Sequence, residues 1–250
     1  MSDVSDWWST AIIDMEPGRI HLRGQPIEDL IGNVSFSDMI WFMLRGDRPS
    51  AAQAKLFEAA LVSAVDHGPQ APSIAAARMA VTCGLPLNNA MASAVNMLGD
   101  VHGGAGEQAV ELYQHLDGGG TLDAWMEERG KIVPGFGHRF HRPTDPRAPR
   151  LMELVSEAAE AGSCTGRFAA LGKDIEAELS ARKGRPIPMN IDGATAVIYA
   201  ELGFDAPAAR GLFCLSRSVG ILAHALEQKE QGGRNKGPTP PKYRWTYTGS

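Results

Sequence analysis

Three segments of the chain interrupt apolar helical patterns with glycine or proline and present a side chain that can carry a proton. They are centred on His102, His138 and Asp192. A carboxylate can move a proton to or from carbon, and neutral histidines can donate hydrogen bonds to developing oxyanions. Each residue alone is a weak indication, because a lone histidine is often structural and a lone aspartate is often a helix cap. Together with arginines, they form a set able to make and stabilise an enolate.

The segment 133–148 combines the clearest of these signs. Gly135 and Gly137 precede His138, and Arg147 follows between two prolines. Glycine lets a backbone approach a ligand closely, whereas the prolines oppose one continuous helix. The pattern predicts that Arg147 lies on a short turn, where its guanidinium could face a carboxylate. This favours acid–base chemistry on a carboxylate substrate; the alternative is an ordinary loop with surface basic residues.

The composition sets limits on the class of protein. The chain has 250 residues, is 44% hydrophobic and carries a net charge of −5, enough for one large domain or a large and a small one. The acidic balance argues against a nucleic-acid binder. Three cysteines without zinc spacing predict reduced thiols in a cytoplasmic protein. We find no signal-peptide pattern and no apolar run long enough to span a bilayer, so we expect no membrane association.

Apolar residues recur at helical spacing through most of the chain and predict an all-α protein. Ser35, Ser50, Ser73 and Thr121 are predicted helix N-caps. Only the first 25 residues suggest short strands, at about 12–13 and 20–22. Helices are predicted over about 26–32, 36–45, 51–65, 74–82, 86–98, 106–116, 122–129, 150–161, 168–181, 194–202 and 207–229.

Several segments together resemble the citrate synthase superfamily, in the family's order and at its spacing. The matching segments are Asp66-His67-Gly68, Val101-His102-Gly103-Gly104-Ala105, Pro134-Gly135-Phe136-Gly137-His138-Arg139 with Asp145-Pro146-Arg147-Ala148, Asn190-Ile191-Asp192-Gly193, and Ser216-Arg217-Ser218-Val219-Gly220 with Ala223-His224. The short length, Gly68-Pro69 after the histidine and Gly99-Asp100 before His102 make the chain most similar to citryl-CoA lyases, which resemble the C-terminal part of ATP-citrate lyase. Full-length citrate synthases have many more N-terminal residues.

The resemblance implies a two-domain helical fold and three catalytic roles. We expect a large domain of residues 1–105 with 206–250, and a small mobile domain of residues 106–205. His102 would hydrogen-bond the thioester carbonyl and stabilise its enolate. Asp192 would exchange the proton at the acetyl carbon. His138 would protonate the ketone oxygen in condensation or take the hydroxyl proton in cleavage.

The resemblance also implies the binding residues. The substrate carboxylates would be bound by His67, Arg147, Arg217 and, from a partner subunit, Arg234, with Lys236 or Arg244 as alternatives. CoA would be bound by Pro134, Gly135, Gly137, Lys183 and Arg185, the last two being otherwise a solvated basic loop. Family members are at least dimers, so we expect a homodimer or higher homo-oligomer with helices 74–82 and 86–98 facing the partner; a monomer core is the alternative.

Three residue patterns invite other interpretations. His138 and His141 with His102 could suggest a metal, but no carboxylate or thiol cluster completes the set, and we expect no metal. Gly135-x-Gly137 is not a dinucleotide fingerprint, because no strand precedes it and no third glycine follows. His224 follows a helical face and is interpreted as structural.

The leading functional hypothesis is cleavage of citryl-CoA, or of a related 3-hydroxy-3-carboxyacyl-CoA, to acetyl-CoA and oxaloacetate by a retro-Claisen step. The CoA thioester is then a substrate and not a bound cofactor, and a separate CoA ligase could supply it. One alternative is a minimal citrate or 2-methylcitrate synthase that also hydrolyses the thioester. The other is a non-catalytic CoA-binding partner subunit.

Overall fold

The computed structural model describes residues 4–138, 143–235 and 242–249. It is 59% helix and 6% strand, which confirms the predicted helical fold class. Arg139, His141 and Lys236, named above, lie outside the described residues. No helix in the described ranges is long and apolar enough to cross a bilayer.

Helices follow one another along almost the whole described chain. In order they are α1 (Val4–Trp7), α2 (Ile27–Leu30), α3 (Phe36–Arg45), α4 (Ala51–Ser63), α5 (Pro72–Thr82), α6 (Leu87–Val95), α7 (Ala105–Asp117), α8 (Leu122–Arg129), α9 (Arg147–Glu160), α10 (Arg167–Lys183), α11 (Ile191–Glu201) and α12 (Ala206–Glu230).

A small antiparallel sheet lies between α1 and α2, in the region where the sequence suggests strands. It has the order β1 (Ile13–Glu16), β2 (Arg19–Leu22) and β3 (Gln25–Pro26). Ile13 pairs with Leu22 and Glu16 with Arg19, so a tight turn joins the first two strands. The short helix α1 was not predicted, since four residues are too few to show helical periodicity.

Three of the four predicted helix caps are confirmed. The Ser35 hydroxyl accepts a hydrogen bond from the Asp38 amide, and the Thr121 hydroxyl accepts one from the Ala124 amide. Ser50 forms a complete capping box with the residue three positions later. These side chains satisfy backbone amides that the first turn of a helix leaves unpaired.

The predicted cap at Ser73 is wrong. Helix α5 begins at Pro72, after Ala71 as the N-cap residue. Proline is well suited to the first helical position, because its φ is already helical and its missing amide has no partner there. Ser73 therefore lies inside the helix, where it is fully buried and contacts His102.

The prediction that Arg147 lies on a short turn is also wrong. Arg147 is the first residue of α9, with Pro146 as its N-cap residue. Pro149 is tolerated because amides of the first turn make no intrahelical hydrogen bond. Helix α11 likewise begins at Ile191, earlier than predicted, so that Asp192 is in its first turn.

The two helices with the most buried residues, α11 and α12, lie at the centre of the packing. Residues 193–200 of α11 are all buried, and this helix packs against α4, α7, α9 and α10. Helix α12 packs along α5, α6 and α7. The aromatic rings of Trp41, Phe57 and Phe204 meet in the same core. This core includes residues from both predicted domains; the domain division itself stays a prediction.

Candidate active site

The Pro134–Gly137 turn is fastened to the residues that precede α11. The Gly137 amide donates to the Pro188 carbonyl at 2.7 Å, and the Asn190 amide donates to the Gly135 carbonyl at 2.9 Å. The Asn190 side-chain amide donates to the Gly137 carbonyl at 2.8 Å. His138 therefore leaves a turn that is fixed relative to the helix carrying Asp192.

Asn190 is the N-cap of α11. Its side-chain oxygen accepts from the amides of Asp192, at 2.9 Å, and Gly193, at 3.2 Å. The helix also meets the turn closely, because a Cβ on Gly193 would lie 2.4 Å from the Gly135 carbonyl oxygen. Gly135 has φ +85°, which disfavours any side chain. Two glycines thus allow the segments of His138 and Asp192 to meet backbone to backbone.

His102 lies in a turn that bridges Gly99 to Gly103. Its Nε2 is 3.2 Å from the Ser73 amide and 3.0 Å from the Ser73 hydroxyl. A backbone amide can only donate, so Nε2 is the acceptor and the proton of the neutral ring is on Nδ1. Burial, followed by the charge of Arg217, lowers the pKa of His102. The arrangement yields a neutral imidazole with an N–H available to an oxygen.

Ion pairs secure the same turn from outside. The Arg210 guanidinium of α12 lies 2.5 Å from the Asp100 carboxylate and also pairs with Glu107 of α7. Because Asp100 lies two residues before His102, these ion pairs hold the turn against α12 and α7.

The rings of His67 and His138 lie close together in an edge-to-face arrangement, although the chain separates them widely. Their ring centroids are 5.8 Å apart with an interplanar angle of 71°. Burial lowers the pKa of His67, the charges of Arg217, Arg147 and His138 lower it further, and Asp66 opposes them. Two guanidinium groups therefore converge on this pair of rings, which favours an anionic ligand between them.

Arg217 is almost completely buried, with 4% of its surface exposed. Its Nε donates to the Ala64 carbonyl at 3.0 Å, and its guanidinium lies 4.8 Å from the centre of the Phe213 ring. Burial lowers the pKa of Arg217, whereas the nearby Asp192 carboxylate raises it. Burial raises the pKa of Asp192, and Arg217 and Arg147 only partly counter it. Asp192 is thus able to hold a proton at a higher pH than an exposed aspartate.

Arg147 is held by the fully buried Asp145. The arginine donates from Nε at 3.0 Å and from Nη2 at 2.8 Å to the two carboxylate oxygens, the two-pronged geometry that fixes a guanidinium most firmly. Burial raises the pKa of Asp145, but the hydrogen bonds and charge of Arg147 outweigh it and the net pKa is lowered. The aspartate therefore stays ionised and orients the arginine.

The structure brings six predicted residues together. They are His67, His102, His138, Arg147, Asp192 and Arg217. The sequence analysis gave Ser73, Asp145 and Asn190, which orient them, no role in the site. Asp145 and Asn190 belong to segments that match the family and stand beside predicted site residues, and these were the available signals. Ser73 was predicted to cap a helix, because hydroxyl residues often do.

The residues predicted to bind CoA lie along and beside the fastened turn. Lys183 is the last residue of α10, and Arg185 follows it; both are exposed. The chain then runs to Pro188, whose carbonyl binds Gly137. The Ser180 hydroxyl accepts from the Ile187 amide at 2.9 Å. Two exposed cations thus precede the segment that supports the turn.

Arg234 is exposed beyond the end of α12. The following residue, Asn235, donates its amide to the Thr82 carbonyl of α5 at 2.7 Å. Arg234 is therefore held near the end of α5, and its service to a partner's site stays a prediction.

A cavity of about 390 Å³ lies between α9, α10 and residues 188–189. The described residues that line it include Thr144, Ala148, Lys173 and Glu176 and none of the six site residues. It therefore lies beside the convergent site. In the described ranges, no group of three or more His, Cys, Asp or Glu side chains is arranged to hold a metal ion.

Comparison with known proteins assigns the family. The model of the citrate synthase C-terminal domain matches residues 42–239. The chain belongs to the citrate synthase family. Family members with curated functions include a citrate synthase of Haloferax volcanii, 32% identical over 195 residues, which are 76% of this chain and 50% of that protein. The chain spans about half the length of the curated relatives it matches.

Solved structures in the family include one of similar length. Citryl-CoA lyase from Hydrogenobacter thermophilus is 32% identical with a TM-score of 0.86, over 97% of this chain and 95% of that chain. ATP citrate lyase from Methanothrix soehngenii shares the fold with a TM-score of 0.83 at 20% identity, over 100% of this chain and 45% of that chain. The predicted resemblance to the citrate synthase superfamily and its citryl-CoA lyases is thereby confirmed.

Proposed function

We propose that this protein is a carbon–carbon lyase that cleaves citryl-CoA, or a related 3-hydroxy-3-carboxyacyl-CoA, into acetyl-CoA and oxaloacetate. The observation that carries the proposal is one site that contains both a neutral His102, whose Nε2 accepts from Ser73 so that its proton is on Nδ1, and a half-buried Asp192 whose pKa is raised. His102 stabilises the enolate oxygen, and Asp192 protonates the enolate carbon. Similarity to a citryl-CoA lyase over nearly the full length of both chains supports this reaction.

Substrate binding uses the convergent cations. Arg217 and Arg147 neutralise the carboxylates of the substrate, and His67 donates a further hydrogen bond. Asp145 keeps Arg147 oriented before the substrate arrives, so that less conformational entropy is lost on binding. The burial of Arg217 strengthens its attraction to an anion, because water screens it poorly.

The cleavage step transfers one electron pair and two protons. His138 takes the proton of the substrate hydroxyl, and the oxygen becomes the ketone of oxaloacetate as the carbon–carbon bond breaks. The electron pair of that bond moves into the thioester, whose oxygen receives the hydrogen bond of His102. Asp192 delivers its proton to the new carbanionic carbon, which becomes the methyl group of acetyl-CoA. The step consumes no water.

CoA binding is proposed along the turn of Pro134, Gly135 and Gly137. The two positive-φ glycines at 135 and 137 let the backbone approach a flat ring closely. Lys183 and Arg185 are exposed at the adjoining segment and attract the CoA phosphates.

A homodimer is proposed through α5 and α6. These helices have small buried residues on one side, and Met79 and the flanking Leu85 and Met97 are exposed by 42%, 37% and 44%. Apolar side chains grouped in this way are typical of a surface that is covered in an assembly. The exposed Arg234 lies at the end of α5 and is the candidate residue for a partner's site.

The deciding assay incubates purified protein with citryl-CoA and follows oxaloacetate with a coupled dehydrogenase and free CoA with a thiol reagent. Oxaloacetate without free thiol supports the lyase. Asp192→Ala should abolish the activity, whereas Asp174→Ala, a matched change of an exposed aspartate on α10, should leave it unchanged. If neither product forms with the wild-type chain, the proposed substrate is wrong.

The alternative function is a minimal citrate or 2-methylcitrate synthase, and it is favoured by the similarity to citrate synthases such as that of Haloferax volcanii. Synthesis requires hydrolysis of the thioester after condensation. Release of free CoA from acetyl-CoA and oxaloacetate would support the synthase and contradict the lyase. A non-catalytic CoA-binding subunit would instead fail to exchange the methyl protons of acetyl-CoA with deuterated solvent.

A further inference from the structure

The segment that carries His67 is held against one face of α12. The Arg217 Nε donates to the carbonyl of Ala64. One turn further along the helix, the backbone of Gly220 contacts Val65, the residue after Ala64. The Gly220 amide lies 3.1 Å from the Val65 carbonyl oxygen. A Cβ on Gly220 would lie 2.3 Å from that oxygen, so the helix and the segment are in direct backbone contact.

The third contact on the same face is made by His224. Its Nε2 lies 3.2 Å from Oδ1 of Asp66. The other oxygen of Asp66, Oδ2, accepts the Gly68 amide at 3.0 Å. One carboxylate thus closes the backbone turn around His67 and is itself held by the histidine of α12.

The surroundings of His224 decide which nitrogen carries its proton. Nδ1 lies 3.4 Å from Nη1 of Arg78, and a guanidinium can only donate. The Nδ1 atom is therefore the acceptor, and the neutral ring has its proton on Nε2, directed at Asp66. Arg78 is fixed in turn by Glu227 at 2.5 Å and by Gln231 at 2.9 Å.

We propose that His224 is a positioning residue for His67: it donates a hydrogen bond to Asp66, which fixes the turn that aims the His67 ring at the substrate carboxylate. The inference rests on the proposed role of His67 in binding that carboxylate. His224 lies outside the convergent site, and sequence reasoning interpreted it as structural. Its Nε2–H contact with Asp66, one residue before His67, gives it a specific effect on substrate binding.

The test compares two substitutions of His224, one that keeps the hydrogen-bond donor and one that removes it. In His224→Gln, the side-chain nitrogen reaches the position of Nε2 and keeps the donor. In His224→Leu, the helix is kept and the donor is lost. We expect the Kd for oxaloacetate, measured by titration calorimetry, to rise about tenfold in the leucine variant and less than about threefold in the glutamine variant, since a hydrogen bond to a charged group is among the stronger ones.

The kinetic readout separates binding from chemistry. The exchange of acetyl-CoA methyl protons at saturating oxaloacetate should keep its wild-type rate in both variants, because it depends on His102 and Asp192. In steady-state kinetics, His224→Leu should raise the KM for the oxo acid and leave kcat unchanged. A general loss of structure would instead lower kcat and the melting temperature together.

A double-mutant cycle with Asp66→Asn tests whether the effect passes through Asp66. We expect His224→Leu to have little further effect once Asp66 is changed. His115→Leu, which alters a half-buried histidine of α7 that bonds a backbone carbonyl, is the matched control and should leave the Kd unchanged. If His224→Leu does not fold, His224→Asn, whose amide is too short to reach Asp66, replaces it.

The proposal is overturned if the leucine and glutamine variants bind oxaloacetate equally well, or if the effects of the His224 and Asp66 changes are additive. A wild-type chain that neither binds oxaloacetate nor cleaves citryl-CoA would overturn the proposed function instead. The two failures are therefore distinguishable.

Discussion

Replacing Gly193 by alanine tests how closely the turn before His138 must approach α11. The added Cβ would lie 2.4 Å from the Gly135 carbonyl oxygen and 3.0 Å from Cγ of Met189. A carbon and a carbonyl oxygen at that distance overlap strongly, so one backbone segment must move. Helix α11 is buried along its length after Asp192, which leaves the turn as the part that yields.

The magnitude follows from overpacking. Forcing an additional methyl group into a well-packed interior costs about 1–3 kcal/mol, and the backbone oxygen on one side puts Gly193→Ala in the upper part of that range. A displacement of about 1 Å between catalytic groups lowers a rate by about 100-fold. We therefore expect Gly193→Ala to weaken the protein and to slow methyl-proton exchange by about two orders of magnitude.

Gly211→Ala is the matched control. Gly211 lies inside α12, and a Cβ there would meet nothing within 4 Å. Alanine is favoured over glycine in a helix by about 1 kcal/mol, so this variant should be slightly more stable and fully active. Urea unfolding and exchange of acetyl-CoA methyl protons measure both effects. A Gly193→Ala protein with wild-type stability and wild-type exchange would refute the close approach of turn and helix.

Three further changes address single contacts. Asp192→Asn should stabilise the protein at pH 7. Burial raises the pKa of Asp192, so its ionised form costs stability above the unfolded pKa of about 4. The gain, measured by urea unfolding, should fade as the pH is lowered toward that value. Asp145→Asn should do the reverse, since the net pKa of Asp145 is lowered. The stability that its pairing with Arg147 contributes is present above the unfolded pKa of about 4. The loss in the variant, about 1.5–3 kcal/mol at pH 7 as for a hydrogen bond to a charged group, should shrink as the pH falls. Ser73→Ala removes one hydrogen bond to His102 and leaves the amide contact, so methyl-proton exchange should slow about fivefold, the equivalent of about 1 kcal/mol; an unchanged rate would mean that the hydroxyl does not orient the ring.

The elements of the fold were largely predictable from local patterns, while their starting points were less so. Ser35 and Thr121 each come directly before a helical segment with no competing start signal, and both are caps. The prediction placed the start of α5 at Ser73 and took no account of Pro72, which stands directly before the serine. The proline determines the start because its ring presets the backbone, and the serine is then free to contact His102.

His102, His138 and Asp192 could be predicted because glycine or proline interrupts the helical pattern beside each of them. His67 and Arg217, the latter in the middle of α12, were predicted from the resemblance to the citrate synthase superfamily. Their mutual geometry could not be predicted, because it depends on contacts between distant segments. The contact of His67 with His138 joins residues far apart in sequence, and the ion pair of Asp145 with Arg147 requires the helix start that prediction missed. Residue types thus indicate the chemistry, and only the packing identifies the residues that orient it.

The position of Asp192 at the start of a helix has a physical reason that connects these observations. A buried helix such as α11 cannot shift without disturbing a close-packed core, so a residue in its first turn, as Asp192 is, has a fixed position. The turn that leads to His138 gains the same rigidity only by pairing its backbone with the helix start, which requires Gly135 and Gly193. Helix α12 fixes the segment of His67 in a comparable way, through the backbone of Gly220. The site therefore requires the glycines at these contacts as much as the residues that carry protons. A chain that keeps the histidines and the aspartate but replaces these glycines should be less stable and react more slowly.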